Sequence, residues 1–336
     1  MPQAIIHSGM PPSLPGRRNL LCVLDWGLGH ASRSLALLRA LEKAGELTFL
    51  ASCGRARKFL EQERPDLTVY ELPAYDVRYP TGNMPLNVGL QLPKWLRTIA
   101  REKRQTARLV EELRIDRIIS DSRFGCYHPR VESVMLTHQL HPIFNFGPMS
   151  WSYVKYLRRF REVWVPDTAD RKMSGRLSDP KGYKKVRFIG PLSRLEPTKP
   201  APENWRTLSL LSGPEPMRSR LEKILLGQLR QLPGPHLLIR GVPDEEEVVE
   251  EHRIVVKPFA DRQFLARHLP IAQHIICRSG YSTLMDLAAL NLSAKIILIP
   301  TPGQTEQELL AQTQVQSGDA LAAFAQGEID LAGLIG

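Results

Sequence analysis

Short apolar runs, each too brief for a helix, alternate along this chain with amphipathic stretches, and the alternation breaks once and then restarts. In the first half NLLCVL (19–24), LTFLAS, LTVYEL, DRIISD (116–121), VESVMLTHQ and EVWVPD each hold a strand. Helices run through SLALLRALEKAG, RARKFLEQE, a basic stretch at about 94–113 and WSYVKYLRRF, while 73–93 is a Pro- and Gly-rich candidate functional loop. Strands written as continuous apolar runs are covered on both faces, and a βαβα order places them in a parallel sheet. The break is IGPLSRLEPTKPAPENW at 189–205, polar and Pro-rich, which reads as a linker. Beyond it TLSLLSG, HLLIRG, RIVVKPF, AQHIICRSG and AKIILIP read as strands, with helices through EPMRSRLEKILLGQLRQL, DRQFLARHL, TLMDLAALN and TEQELLAQTQVQ. The expectation is an α/β protein with two Rossmann-like domains facing a cleft. Residues 1–18 are expected as a disordered extension, 19–190 as the first domain, 191–205 as the linker and 206–336 as the second domain.

Composition narrows the function classes. No apolar run approaches the roughly 18 residues of a membrane span, and the N-terminus lacks the basic and apolar regions of a signal peptide. Cys22, Cys53, Cys126 and Cys277 are scattered without metal-ligand spacing, as reduced thiols in a cytoplasmic protein would be. The net charge of +10 is uneven: residues 1–195 hold 32 Lys and Arg against 18 Asp and Glu, and the remainder 13 against 17. The first half is thus suited to something anionic: nucleic acid, an anionic membrane surface or a phosphorylated substrate. No nucleic-acid module accompanies the charge, so no nucleic-acid partner is expected. Trp and Tyr mixed with Lys and Arg in LPKWLRTIAREKRQTARL and WSYVKYLRRF have the composition of an interfacial helix on anionic lipid, or of solvated surface helices.

Ligands of open α/β sheets bind beyond the carboxyl ends of strands, so the turns after the strands carry the candidates. The first is LDWGLGHAS, where Gly27 and Gly29 permit a tight turn and His30 stands at a helix start, whose positive dipole end favours a neutral imidazole. It is not a dinucleotide fingerprint, because Ser32 takes the third glycine's place. The bland reading is a histidine that caps the turn. LLSGPEP places Ser212 and Gly213 before a helix whose free N–H groups suit a phosphate, or form an ordinary strand–helix turn. In CRSGYSTLMDL, Ser279, Gly280, Tyr281, Ser282 and Thr283 open a helix, with Asp286 one turn further on the face of Thr283. Hydroxyls and N–H groups suit a diphosphate and the carboxylate a ribose diol; a simple N-cap is the alternative. IPTPGQTEQELLA adds Gln304, Thr305, Glu306 and Gln307, able to bond sugar hydroxyls or merely to start an amphipathic helix.

With these motifs in place, the chain resembles nucleotide-sugar glycosyltransferases of the GT-B fold. It is similar in layout to the lipid-II-forming GlcNAc transferase of peptidoglycan synthesis. It also resembles uncharacterised bacterial glycosyltransferase-like proteins that carry LDWGLGHASRS, SDSRFG, THQL, IGPLSR, LSGPEP, RSGYSTLMDL and IPTPGQTEQELLA in this order, over roughly residues 19–315. The resemblance implies that His30 lies near the reacting centre and that Ser279, Gly280 and Thr283 lie at the nucleotide phosphates. It further implies Asp286 at the ribose, and Glu306 and Gln307 at the donor sugar. The loop WGLGHASR departs from the relatives' Gly-Gly-x-Gly-Gly-His, and SDSRFG and THQL have no counterpart in the lipid-II enzyme. Asp121, Arg123 and His138 therefore enter as acceptor-side candidates, Asp121 also as an alternative base.

The implied reaction is inverting transfer of a sugar, an N-acetylhexosamine, from a UDP-linked donor. His30 would be the general base, with no metal and no cofactor besides the UDP-sugar co-substrate. The acceptor expected is a glycan, a lipid-linked sugar or a lipopolysaccharide-type molecule. The place expected is the cytoplasm, with peripheral contact to the inner face of the membrane. A nucleotide-sugar hydrolase or epimerase, or an inactive nucleotide-sugar-binding module, would use the same residues.

Overall fold

The computed structural model describes residues 5–26, 28–75, 84–141, 153, 156–242 and 246–335. The chain divides into two compact units, Met1–Leu192 and Ser193–Gly336.

The first unit is built on β1 (Ile5–Ser8), β2 (Arg18–Val23), β3 (Leu47–Ser52), β4 (Val69–Glu71), β5 (Arg117–Asp121), β6 (Glu132–Leu136), β7 (Glu162–Val165) and β8 (Lys185–Phe188). They form one sheet in the order β1-β8-β7-β6-β5-β2-β3-β4, with every pairing parallel. Leu20, Leu21, Cys22 and Val23 of β2 are wholly buried, as expected of a central strand covered on both faces. Helix α1 (Leu28–Lys43) buries Leu35, Leu37, Leu38 and Leu41. It stops at Gly45, whose φ of +77° no residue with a Cβ adopts cheaply. Helices α2 (Gly54–Glu63) and α3 (Met84–Glu112) follow β3 and β4.

Two expectations change here, and a third lies mostly outside the described residues. The extension 1–18 contributes β1, which adds to the edge of the sheet by pairing Ile5–Ser8 with Lys185–Phe188. Its AIIHS segment has the β-branched residues an edge strand needs, and the surrounding Pro and Gly concealed it. Helix α3 begins at Met84, ten residues earlier than about 94, so the Pro/Gly-rich segment is partly helical, with Pro93 inside the helix. Of WSYVKYLRRF, only Tyr153 and residues 156–160 lie within the described residues.

The second unit orders β11 (Val249–Glu251), β12 (Ile254–Lys257), β10 (His236–Ile239), β9 (Trp205–Leu210), β13 (Ala272–Cys277), β14 (Lys295–Leu298) and β15 (Ala322–Ala323) in one sheet. Only the edge pairing of β11 with β12 is antiparallel. Its helices are α4 (Met217–Leu229), α5 (Arg262–His268), α6 (Tyr281–Ala289), α7 (Thr305–Ser317) and the short α8 (Ala332–Ile335). Asp261 caps α5 by accepting from the Phe264 N–H at 2.8 Å. The core runs through Leu221, Leu225 and Leu229 of α4 onto Leu238, Ile276 and Ile297 of the sheet.

The Pro-rich stretch is not a free linker. From Ser193 it packs on the second unit: Leu195 and Ala201 are buried, and the Ala201 N–H donates to the Arg267 carbonyl at 3.0 Å. No helix among the described residues is long and apolar enough to cross a membrane.

Candidate active site

In the first unit the site is built where β2 and β5, neighbours in the sheet, end. Helix α1 leaves β2 through Asp25 and Trp26; Gly27 lies outside the described residues, and Gly29 falls in the first turn. His30, one residue further along that turn, places Nδ1 2.8 Å from Oδ1 of Asp121, the last residue of β5. Asp121 is wholly buried, yet it is surrounded by donors. Arg33 donates Nε to Oδ2 at 3.0 Å and Nη2 to Oδ1, and Ser34 donates Oγ to Oδ2 at 3.0 Å. Burial works to raise this carboxyl, but the Arg33 guanidinium and the hydrogen bonds from Arg33 and His30 outweigh it and hold it well below the usual carboxylate range.

Asp121 is therefore an anion at any working pH. It is the stronger acceptor for a ring N–H, so the Nδ1 proton is assigned to the hydrogen bond with Asp121. The Arg33 Nη2 also lies 2.9 Å from Nδ1, and its N–H serves the carboxylate. The imidazole then keeps Nε2 as its basic atom, and Nε2 makes no hydrogen bond among the described residues. A histidine 19% exposed, its far nitrogen fixed on a buried aspartate, is arranged to take a proton. Asp121, the alternative base in the sequence reading, is placed to orient His30. His138, 8% exposed, joins the cluster with Nδ1 3.2 Å from the Arg33 Nη1.

Arg123 faces inward. Its guanidinium donates to Glu102 at 2.7 Å, to the Val23 carbonyl at 3.0 Å, to the Pro73 carbonyl and to the Cys53 sulfur, and the side chain is wholly buried. It ties α3 to the ends of β2 and β4, which gives it a structural job in place of an acceptor contact.

In the second unit β9, β13 and β14 lie side by side, and the turns after them bring the remaining candidates to one sheet edge. Ser212 and Gly213 follow β9 and are exposed, Gly213 with φ +103°. After β13, Ser279 is buried and donates Oγ to the Gln307 carbonyl at 2.7 Å. Gly280 is the N-cap of α6; Tyr281 is buried, and Ser282 and Thr283 are half-buried on the first turn. Asp286 accepts from the Ser193 Oγ at 2.5 Å and from the backbone of Arg194, and burial raises its pKa. After β14, Gln307 accepts from the Thr301 N–H at 2.9 Å and donates to Gln304 Oε1 at 2.6 Å. Gln304 and Thr305 are exposed and Glu306 is half-buried. Neither Gly280 before α6 nor Gln304 before α7 caps its helix through a side chain. Both helix starts suit an anion.

Arg278, which sequence reasoning missed, joins these turns. It is 1% exposed and donates to the carbonyls of Ser212, Ile299, Pro300 and Met217 at 3.1–3.4 Å and to Gln326 Oε1 at 2.7 Å. Burial pushes it down to about 10, so it is a cation at neutral pH. A Cβ at Gly213 would stand 4.0 Å from its Nε and 3.4 Å from the Thr301 Oγ1. That hydroxyl is buried without a hydrogen bond among the described residues. Arg33 was missed too, though its place three residues after His30 on one helical face was a readable signal.

No protein-family model matches the chain, and neither does any curated protein sequence. Solved structures do match. Acinetobacter baumannii MurG is 15% identical, with 94% of this chain and 87% of that one covered and a TM-score of 0.59. The calicheamicin glycosyltransferase CalG4 is 13% identical, covering 96% and 88%, with a TM-score of 0.66. The spinosyn rhamnosyltransferase SpnG, solved with thymidine diphosphate, is 14% identical, covering 91% and 86%, with a TM-score of 0.61. The chain has the two-domain α/β GT-B fold, and its structure is similar to those of MurG and of other GT-B glycosyltransferases.

Proposed function

We propose that the protein transfers a sugar from a nucleotide-sugar donor to an acceptor hydroxyl with inversion. The observation that carries the reading is His30, held through Nδ1 on the buried Asp121 with Nε2 unengaged among the described residues. Nε2 takes the acceptor proton as the acceptor oxygen forms its bond to the anomeric carbon. The bond from that carbon to the phosphate oxygen breaks, and the nucleoside diphosphate leaves with the electron pair. The N–H groups opening α6 and α7 and the cation of Arg278 are assigned to that developing charge, in place of a metal ion. Thr283 and Ser282 serve the phosphates, Asp286 the ribose, and Glu306 with Gln304 and Gln307 the sugar. The fold neighbours support the class: SpnG is named a rhamnosyltransferase and was solved with thymidine diphosphate, and CalG4 is named a glycosyltransferase.

The finer reading is a UDP-linked N-acetylhexosamine passed to a cell-envelope or lipid-linked glycan in the cytoplasm, at the inner membrane face. Its support is the sequence resemblance and the positive first unit. Melting curves with UDP, GDP, ADP, dTDP and CMP test the donor site. A ligand at a hundred times its dissociation constant adds about 2.7 kcal/mol. One nucleotide should raise the melting temperature of the wild type and not of Asp286→Ala; no shift with any of the five overturns the reading. Sugar released rapidly from the matching donor without acceptor would replace transfer by hydrolysis.

A further inference from the structure

The motif IGPLSR is used neither by the proton transfer nor by the phosphate turns, yet it ends against a donor-site residue. Ser193 and Arg194 are its last two residues, and both are half-buried. The Leu195 N–H donates to the Ser193 Oγ at 2.9 Å, which occupies the hydroxyl as an acceptor and leaves its proton to be donated. That proton goes to Oδ1 of Asp286 at 2.5 Å, and the Arg194 N–H donates to the same carboxyl. The segment is itself fixed: Leu195 is 3% exposed, and the Ala201 N–H donates to the Arg267 carbonyl at 3.0 Å.

Asp286 lies one helical turn beyond Thr283 on α6 and is half-buried, so part of it still meets solvent. Opposed influences act on it. Burial favours the neutral carboxyl, whereas the Ser193 hydroxyl, the Arg194 cation and the Arg194 N–H favour the anion. The balance matters to a ribose diol, which offers two hydroxyl protons. A carboxylate accepts both, whereas a carboxylic acid makes one of its oxygens a donor.

We propose that Ser193 is a positioning residue of the donor site, which holds Asp286 as an oriented acceptor for the ribose hydroxyls. The inference rests on the donor reading of Asp286 given above. Ser193 touches no substrate; it acts through Asp286, fixing one carboxylate oxygen and leaving the group's remaining lone pairs to the ligand. A backbone carbonyl would fasten the segment without drawing a charge out of water. A carboxylate is the costlier partner, and a use for its charge accounts for the choice.

The test is nucleotide affinity against pH, by isothermal titration calorimetry on the full-length chain from pH 5 to 8. The probe is whichever of UDP, GDP, ADP, dTDP and CMP stabilises the wild type in melting curves. Wild-type affinity should fall as pH drops through the pKa of Asp286, because the acid form accepts less. Ser193→Ala should bind about tenfold more weakly at pH 7. Its fall should also set in at higher pH, since a bond that favoured the anion is gone. Ser193→Thr, which keeps the hydroxyl, should follow wild type. Ser193→Cys, a weak donor of similar size, should behave as Ser193→Ala does and guards against a folding defect. Asp286→Asn should bind weakly and keep only the titration of the nucleotide phosphates, which is common to every variant. Unchanged affinity and midpoint in Ser193→Ala overturn the role of Ser193 and leave the donor site standing. Weaker binding with an unmoved midpoint makes Ser193 a fastening of the segment and overturns the proposal as well. Full affinity in Asp286→Asn takes the ribose off Asp286 and the proposal with it. No nucleotide bound by wild type overturns the transfer reading and this inference together.

Discussion

Arg33 sets what His30 and Asp121 can do for each other. A buried carboxylate beside a histidine could share its proton, but the Arg33 guanidinium on both carboxylate oxygens keeps Asp121 charged. Asp121→Asn replaces the anion with an amide that can present either an oxygen or an N–H to Nδ1, and the tautomer is then no longer fixed. Turnover should fall by about 10²–10⁴-fold in His30→Ala and in Asp121→Asn, with donor KM little changed, as single-turnover kinetics would read. The pH dependence has a definite sign. The folded pKa of Asp121 lies below its unfolded value, so its stabilisation is present above about pH 4 and is lost as pH falls through the folded pKa. Urea melts between pH 6 and 2.5 should show the wild type losing stability more steeply than Asp121→Asn; equal slopes would remove this pair from the acid response. Arg278 makes the complementary case. Its carbonyl partners fall bare in Arg278→Met, which should cost about 2–4 kcal/mol in chemical denaturation, with Arg278→Lys between it and wild type.

Elements explain which parts of the fold the sequence revealed. Strands such as NLLCVL and AKIILIP were legible because a parallel strand covered on both faces is written as an unbroken apolar run. β1, β8 and β11 were not: β8 is the short KVRF with alternating burial, and β11 is the charged, exposed VEE. Their signal lies in the partner strand, which a local pattern does not contain. The turns carrying Ser279–Thr283 and Gln304–Gln307 were legible as places, whereas the bonds within them were not. Ser279 and Gln307 spend hydrogen bonds on holding the turns, and Asp286 holds Ser193. The burial of Asp286, against which that last bond works, predicts a pH response opposite to that of Asp121. Burial raises the folded pKa of Asp286, so its ionisation is costlier in the fold, and stability falls as pH rises from about 4 through the folded pKa. Asp286→Asn should lack that fall in melts across pH 4–7; a parallel fall in both would place its cause elsewhere.

At the scale of the whole molecule the charge follows the division of the chain. The first unit holds 31 Lys and Arg against 18 Asp and Glu, while the second is mildly acidic. Part of the excess lies on α3, where Lys94, Arg97, Arg101, Arg104 and Arg108 recur at alternating spacings of three and four and are all exposed. That spacing draws one cationic stripe along a helix, beside Leu96 at 57% exposure. A basic residue near an anionic bilayer contributes roughly 1 kcal/mol, and salt screens the attraction beyond about 8 Å at physiological strength. The stripe suits an acceptor carried on a membrane better than one free in solution. The protein should therefore sediment with vesicles containing about a third phosphatidylglycerol at low salt and be released at 0.5 M salt. Arg97→Glu/Arg101→Glu/Arg104→Glu should not sediment at either. The three side chains are exposed, so the variant should melt near wild type. Binding that survives in the triple variant would move the contact off α3. No sedimentation of wild type at low salt would leave the positive unit to an anionic substrate in solution.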